Sequence, residues 1–224
     1  MKIAILAAME MEMNHLVKAF DLHIIDNRLG RLCYHGTYNN HELTIVQVGV
    51  GKVNAACTTQ WVLDQFSPEL VVNTGIAGGL KAHHKPLMTV IATDVTHHDV
   101  DPLLFDSLFG IPSFSCSSQL IKGLTEACDQ EGISYDTGRI VSGEAFICSD
   151  EERNRIIKDF DPHAVEMEGS AIGHVCHLNK IPFVVMRTLS DCANDDASEV
   201  FEEFEYLAAD KSQRIMLSWV KSLK

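Results

Sequence analysis

The most constraining feature of this sequence is the alternation of short apolar runs with longer segments of helical periodicity. Residues 3–8 form the first apolar run, and residues 183–186 form a continuous one that predicts a strand buried on both faces. Residues 31–36 and 42–48 have the pattern of a hairpin, with Asn39-Asn40 at its turn. Because strands alternate with helices elsewhere, we expect a three-layer α/β/α fold with a mixed, mostly parallel central sheet. Helices are predicted over residues 53–66, 118–128 and about 169–178, and from Ser198 onward.

The composition indicates one globular unit. Of the 224 residues, 46% are hydrophobic, which is enough to bury a full core, and no linker or repeat divides the chain. Residues 1–224 are therefore expected to form a single domain. The 18 Lys and Arg residues against 31 Asp and Glu residues give a formal charge of −13, which argues against nucleic-acid binding. No apolar run approaches the roughly 18 residues of a membrane span, and the first residues resemble a strand rather than a signal peptide.

The cysteines and histidines predict no metal site. The seven cysteines are scattered and include no C-x-x-C pair, so neither a disulfide framework nor a zinc ribbon is expected. A protein of the reducing cytoplasm is the simplest interpretation. His174 and His177 lie three residues apart, and His97-His98 precede Asp99, but no third ligand stands at a suitable spacing. No metal or other cofactor is expected.

Ligands of α/β folds bind at the carboxyl ends of strands, so the segments that follow the apolar runs are candidates for a site. Met9-Glu10-Met11-Glu12 follows the first run, although glutamates also begin ordinary helices. Glu166-Met167-Glu168 would place both carboxylates on one face if extended; alternatively, a helix begins immediately after it. Arg187-Thr188-Leu189-Ser190-Asp191 follows the most apolar run, where Asp191 could equally be a turn or cap residue.

Two glycine-rich segments complete this set. Gly49-Val50-Gly51-Lys52 and Gly75-Ile76-Ala77-Gly78-Gly79 match neither the P-loop nor the G-x-G-x-x-G pattern. Glycines after a strand let the backbone approach a ligand, but they also simply make tight turns. A phosphate cradle is therefore weakly supported, and a Rossmann oxidoreductase is a remote alternative. The sequence also has no G-x-S-x-G elbow.

Taken in order, six segments resemble the 5′-methylthioadenosine/S-adenosylhomocysteine nucleosidase family of the purine nucleoside phosphorylase superfamily. Each is weak alone, but the ordered set is specific and spans nearly the whole chain. The resemblance implies a nucleoside phosphorylase-like fold, a homodimer, and hydrolysis of the N-glycosidic bond between adenine and a 5′-thio-substituted ribose. The matching segments are residues 7–12, 49–56, 73–79, 141–147, 164–168 and 190–191.

The resemblance also implies roles for the polar residues. Asp191 would be the general acid that protonates adenine N7, supported by Ser190, because burial can raise the pKa of a carboxyl group. Glu12 would orient and deprotonate the attacking water, and Arg187 would help to hold that water. Glu168 would accept hydrogen bonds from both ribose hydroxyls. A bond that breaks through an oxocarbenium-like state needs a protonated leaving group and a water held at the ribosyl carbon, which these residues would provide.

An apolar pocket with an aromatic wall would hold the substrate. By the same resemblance, Phe146 would stack on the base, the backbone of Ile147 would recognise its edge, and Met167 would pack against the sugar. The remaining substrate-binding residues implied are Met9, Val50, Phe105 and Phe201 around the thioalkyl group, with Ile76 and Gly78 beside them.

Two departures from the family pattern leave the substrate open. The family usually has serine where this chain has Ile76, near the water and the ribose. The segment after Asp99, which should line the 5′ pocket across the dimer interface, diverges from the family. A pocket variant of this kind could prefer aminodeoxyfutalosine with the same chemistry.

Two other functions remain as alternatives. In a nucleoside phosphorylase, arginine and serine hold phosphate, whereas Asn73, Ile76 and Glu12 stand here, and a carboxylate would repel phosphate. A non-catalytic nucleoside sensor could share the fold. A sensor would have no use for a water-activating base or for a proton donor such as Asp191, so hydrolysis is favoured.

Overall fold

The central element is a mixed sheet. A computed structural model describes residues 1–25, 30–101, 103, 107 and 113–223. The ten strands of this part of the chain are β1 (Lys2–Ala7), β2 (His23–Ile24), β3 (Cys33–Tyr38), β4 (His41–Gln47), β5 (Leu70–Gly79), β6 (Thr89–His97), β7 (Phe114–Ser115), β8 (Tyr135–Ser142), β9 (Ala164–Glu166) and β10 (Phe183–Asp191).

Strand pairing divides the sheet into a closed part and an open arm. β5 pairs in parallel with β10 and antiparallel with β9. β10 continues to β6, β6 to β8, and β8 to β9, which closes a circuit of five strands. The arm runs from β5 through β1 and β4 to β3 and β2. The mixed sheet predicted from the sequence is confirmed.

Two groups of helices cover the sheet. The helices are α1 (Asn14–Ala19), α2 (Lys52–Phe66), α3 (Ser118–Glu131), α4 (Asp150–Phe160), α5 (Gly169–Leu178) and α6 (Ala197–Ser222), and a 3₁₀ turn spans Glu10–Glu12. α2 packs on α5, whereas α6 packs on α1 and α3; β5 and β10 contact both α5 and α6. No helix of the described residues is both long and apolar enough to cross a membrane.

The hydrophobic pattern explains which strands are central. Every residue of β5 and β10 is buried, as the apolar run of residues 183–186 predicts for the latter strand. The predicted hairpin is also present, and Asn39 and Asn40 have φ values of 45° and 64°, which suit a tight hairpin turn.

Two strands are longer than their apolar runs predict. β5 continues through the glycine-rich segment to Gly79, and β10 continues to Asp191. The expectation that residues 75–79 and 187–191 follow their strands is therefore wrong, because both segments lie within the strands. The reason is pairing on both sides: the carboxyl half of β5 is held by β10 and β9, so its backbone stays extended.

Candidate active site

A cavity of about 210 Å³ lies where the 3₁₀ turn, the end of β5, the β9–α5 junction and the end of β10 meet. Its lining combines an apolar surface with a few buried carboxyl groups, which is typical of a small-ligand site. Most residues predicted from the sequence line this cavity: Met9, Glu12, Val50, Ile76, Gly78, Phe146, Met167, Glu168, Ser190, Asp191 and Phe201.

Three residues predicted for the site do not line this cavity or lie outside the described part of the chain. Ile147 is buried and lines a smaller cavity that shares Phe146, Gly78 and Asp191 with the first. Arg187 lies behind the cavity wall, where it is 1% exposed. Phe105 lies outside the described residues.

Glu12 is held by backbone N–H groups on both carboxylate oxygens. Its Oε2 accepts a hydrogen bond from Met9 N at 2.8 Å, and its Oε1 accepts one from Ile76 N at 3.0 Å. A side chain at Gly75 would collide with this carboxylate, so glycine allows the close approach. Burial raises the pKa of Glu12, while the Arg187 charge and the two N–H donors oppose the rise. Such a carboxyl group can accept a proton more readily than an exposed one.

Glu166 and Glu168 point toward the same guanidinium group. Glu166 ends β9 and is joined to Arg187 by a hydrogen-bonded ion pair, and Glu168 Oε2 lies 3.7 Å from Arg187 Nη2. Glu168 directly precedes α5, and its Oε1 accepts a hydrogen bond from Gly51 N at 2.7 Å. Burial, together with the charge of Glu166, raises the pKa of Glu168 to about 8. Both interpretations of residues 166–168 therefore hold: the carboxylates of Glu166 and Glu168 face the same group, and a helix begins directly after Glu168.

Arg187 is already engaged by protein groups. Besides the two glutamates, its Nη2 donates a hydrogen bond to Asn73 Oδ1 at 2.7 Å. Its Nε and Nη1 are buried and have no hydrogen-bond partner among the described residues. Arg187 acts on Glu12 through its charge. It thus balances part of the negative charge around the cavity.

Asp191 lines the same cavity from the end of β10. Its Oδ2 accepts a hydrogen bond from Ser190 Oγ at 2.8 Å, and its Oδ1 accepts one from Ala193 N at 2.7 Å. Burial raises the pKa of Asp191, and these two donors oppose the rise. A Cβ at Gly78 would lie 3.0 Å from Asp191 Oδ1, so glycine leaves room beside this oxygen. A buried carboxyl group with a raised pKa can donate a proton near neutral pH.

The apolar wall is built from two aromatic rings and a small cluster. Phe146 is 43% exposed and meets Phe201 edge to face, with ring centroids 5.4 Å apart. Ile76 is buried, and Met9 and Phe201 pack against its cluster. This wall suits a planar ring at one end and an apolar group at the other.

The Arg187 network could not be assembled from the sequence pattern. Asn73 lies in β5, Glu166 in β9 and Arg187 in β10, so only the sheet topology brings them together. One signal was available: a charged residue inside an otherwise apolar strand indicates a buried partner. Ser142 extends the network, since its Oγ donates to Glu166 Oε1.

The chain is similar to known proteins over nearly its whole length. A model of the phosphorylase superfamily matches residues 2–221. A 5′-methylthioadenosine/S-adenosylhomocysteine nucleosidase of Staphylococcus haemolyticus is 39% identical over 196 residues, which cover 85% of this chain and 86% of the relative.

Solved structures show the same similarity. The Neisseria meningitidis 5′-methylthioadenosine/S-adenosylhomocysteine nucleosidase, in complex with methylthio-immucillin-A, is 35% identical, with a TM-score of 0.93 over 99% of both chains. A futalosine hydrolase of Helicobacter pylori is 30% identical, with a TM-score of 0.91 over 99% of this chain and 98% of that one.

Proposed function

This chain belongs to the 5′-methylthioadenosine/S-adenosylhomocysteine nucleosidase family within the phosphorylase superfamily, and from that premise we propose that it hydrolyses the N-glycosidic bond of 5′-methylthioadenosine and S-adenosylhomocysteine. The products would be adenine and the 5′-thio-substituted ribose. The observation that carries the proposal is the convergence of four buried carboxyl groups on one largely apolar cavity: Glu12, Glu168 and Asp191, with Glu166 paired to Arg187.

Three of these carboxyl groups have distinct tasks in this reaction. Asp191 donates a proton to adenine N7, which makes the base a better leaving group. Glu12 takes a proton from water and directs the oxygen to the ribosyl carbon. Glu168 binds the ribose hydroxyls. Burial raises the pKa of Glu168 to about 8. Hydrogen bonds donated by the ribose hydroxyls favour the ionised carboxylate, so substrate binding should lower this pKa again.

The charge of the cavity suits the transition state. Glycoside cleavage develops positive charge on the sugar, and Glu12, Glu166 and Glu168 surround the single guanidinium group of Arg187. Negative groups fixed in a buried site stabilise that developing charge better than water does, because they need not reorient.

The same groups argue against phosphate as the nucleophile. A phosphorylase needs cationic and hydroxyl donors for the anion, but Ile76 presents an apolar side chain to the cavity and Arg187 is paired with Glu166. Glu12 would also repel phosphate. Water is therefore the nucleophile that this site favours.

Product analysis tests the proposal. Purified protein is incubated with 5′-methylthioadenosine, with and without phosphate, and the products are separated by chromatography. We expect adenine and free methylthioribose at rates that do not depend on phosphate. Phosphate-dependent methylthioribose 1-phosphate would instead identify a phosphorylase. Binding of the nucleoside without any adenine release would identify a sensor.

Ile76 is expected to set the preference for an apolar 5′ group. Although the family usually has serine here, Met9 and Phe201 pack against the cluster of Ile76 in this chain. We therefore expect Ile76→Ser to lower kcat/KM for 5′-methylthioadenosine roughly 10-fold, since removing apolar contacts from such a pocket costs about 1–3 kcal/mol. Adenosine, with a 5′-hydroxyl group, serves as the control substrate and should lose less. Equal losses for both substrates would contradict a role of Ile76 in 5′ recognition.

The futalosine hydrolase match supports a second substrate of the same reaction class. Aminodeoxyfutalosine would leave Asp191, Glu12 and Glu168 with the same roles, and would differ only at the 5′ end. Comparing kcat/KM for aminodeoxyfutalosine and 5′-methylthioadenosine distinguishes the two. The apolar cluster around Ile76 favours the methylthio group.

We also propose a homodimer whose interface includes the start of α2. Val53 is 78% exposed and lies one turn after Val50, which lines the cavity and is itself exposed. Exposed apolar patches of this kind mark interaction surfaces. We expect Val53→Asp to shift the protein from dimer to monomer in sedimentation velocity. Ile24→Asp, at an exposed apolar position on β2, is the control and should sediment as the wild type does.

Two further parts of the proposal are a single domain and a reducing compartment. The family model spans residues 2–221, in keeping with one nucleosidase domain over residues 1–224. All seven cysteines are free thiols, in keeping with a reducing compartment such as the cytoplasm.

A further inference from the structure

Three histidines surround one carboxylate oxygen outside the cavity. His83 and His84 lie in the loop after β5, Asp136 lies at the start of β8, and His163 directly precedes β9. The Nε2 atoms of His83, His84 and His163 lie 3.0, 3.2 and 3.5 Å from Asp136 Oδ2. Glu166 and Ser142, which belong to the active-site network, occupy the other ends of β9 and β8.

We propose that His83, His84 and Asp136 bind one divalent transition-metal ion of the zinc class, because one ligand atom from each of these residues lies within 4.8 Å of the others. Two imidazoles and one carboxylate form a donor set that such ions accept in tetrahedral geometry, with water in the fourth position. With metal–ligand bonds of about 2.0–2.1 Å, neighbouring ligand atoms of a tetrahedron lie roughly 3.3 Å apart. The distances from His83 Nε2 and His84 Nε2 to Asp136 Oδ2, 3.0 and 3.2 Å, lie close to that value, whereas His163 Nε2 lies farther away, at 3.5 Å.

Asp136 directs one oxygen at the two imidazoles of the proposed site. Its Oδ1 accepts a hydrogen bond from Thr137 N at 2.8 Å, which leaves Oδ2 to face His83 and His84. A cation would engage Asp136 Oδ2 and both Nε2 atoms at once.

The backbone around the cluster leaves space for the rings. A side chain at Gly138, in β8, would collide with the ring of His163, and a Cβ at Gly79 would lie 3.1 Å from the Cβ of His84. Binding through His84 Nε2 places that ring's proton on Nδ1. The long 3.3 Å contact from Lys81 N to His84 Nδ1 would then be given up, a small loss against a metal–ligand bond.

The ion would have a structural role. It would join the loop after β5 to the start of β8, which are separate in sequence, through three protein ligands. The loop also contacts the segment after Asp191, since Cys192 Sγ lies 3.8 Å from the His84 carbonyl oxygen. Metal binding should therefore stabilise the fold without being required for hydrolysis.

Metal titration of the full-length, untagged protein tests this proposal. After treatment with a chelator and dialysis, Zn²⁺ is added in competition with a chromogenic chelator. We expect one tight equivalent per chain, and a Tm higher by about 5–10 °C when free Zn²⁺ exceeds Kd a hundredfold. Co²⁺ should give the visible absorption of a four-coordinate ion. The absence of a stoichiometric site in the wild type would overturn the proposal.

Matched variants locate the site. His83→Ala removes a ligand whose side chain is 63% exposed, so the fold should be retained while Zn²⁺ affinity falls at least tenfold. His84→Ala should abolish the site. His23→Ala, at an exposed histidine of β2, is the control and should bind as the wild type does. Equal affinity of His83→Ala and His23→Ala would place the ion elsewhere and contradict the assignment.

Discussion

Replacing Asp191 by asparagine is expected to lower kcat for 5′-methylthioadenosine by about 10²–10⁴-fold, the usual contribution of a general acid. Asparagine keeps the size of the side chain and can still hydrogen-bond to adenine, but it has no acidic proton to transfer. Substrate binding should change little, so the loss should appear in kcat rather than in KM. Steady-state kinetics with adenine release as the signal would measure both.

The pH profile gives this prediction a second readout. Burial raises the pKa of Asp191, and the acid must be protonated to act. Wild-type activity should therefore fall as pH rises through that raised pKa. The residual activity of Asp191→Asn should lack this fall, because asparagine does not titrate.

Asp196→Asn is the matched control for this change. Asp196 is exposed, directly precedes α6 and makes no side-chain capping hydrogen bond. The same substitution there should leave kcat within a factor of two of the wild-type value, since surface changes have small effects. If Asp191→Asn also retained wild-type turnover, the acid role of Asp191 would be wrong.

The sequence predicted the fold well because local patterns encode it. The apolar run of residues 183–186 lies in β10, and α2 ends at Phe66, where the predicted helix of residues 53–66 ends. The same patterns underestimated β5 and β10, because pairing between the two strands, rather than composition, keeps Gly78 and Asp191 in the sheet.

The candidate site was predictable where an ordered motif carried it. Glu12, Glu168 and Asp191 line one cavity, as their places in the motifs imply. The partners of Arg187 and the histidine cluster were not predictable in this way. His83 meets Asp136 across 53 positions of sequence, and the spacing rules used for metal motifs apply only to ligands that lie close along the chain.

Replacing Glu12 by glutamine should also remove most of the activity, about 10²–10⁴-fold in kcat, and for a different reason. Glutamine cannot take a proton from water, and its amide N–H₂ group would face a backbone N–H donor where Glu12 now accepts from Met9 and Ile76. Because the pKa of Glu12 is raised by burial, wild-type activity should also fall as pH drops through that pKa. The residual activity of Glu12→Gln should lose this acid-side fall and keep the alkaline one set by Asp191.

Stability measurements separate this catalytic effect from damage to the fold. A carboxyl group whose pKa is raised in the folded state stabilises most at low pH, and that contribution declines as pH rises above its unfolded value of 4.5. The Tm of Glu12→Gln should therefore depend less on pH than that of the wild type. Glu10→Gln, an exposed residue of the same 3₁₀ turn, is the control and should keep both activity and pH profile. A Glu12→Gln variant that is folded and turns over at the wild-type rate would exclude Glu12 as the base. Water would then have to be activated by another carboxyl group of the cavity that lies near Arg187, Glu166 or Glu168.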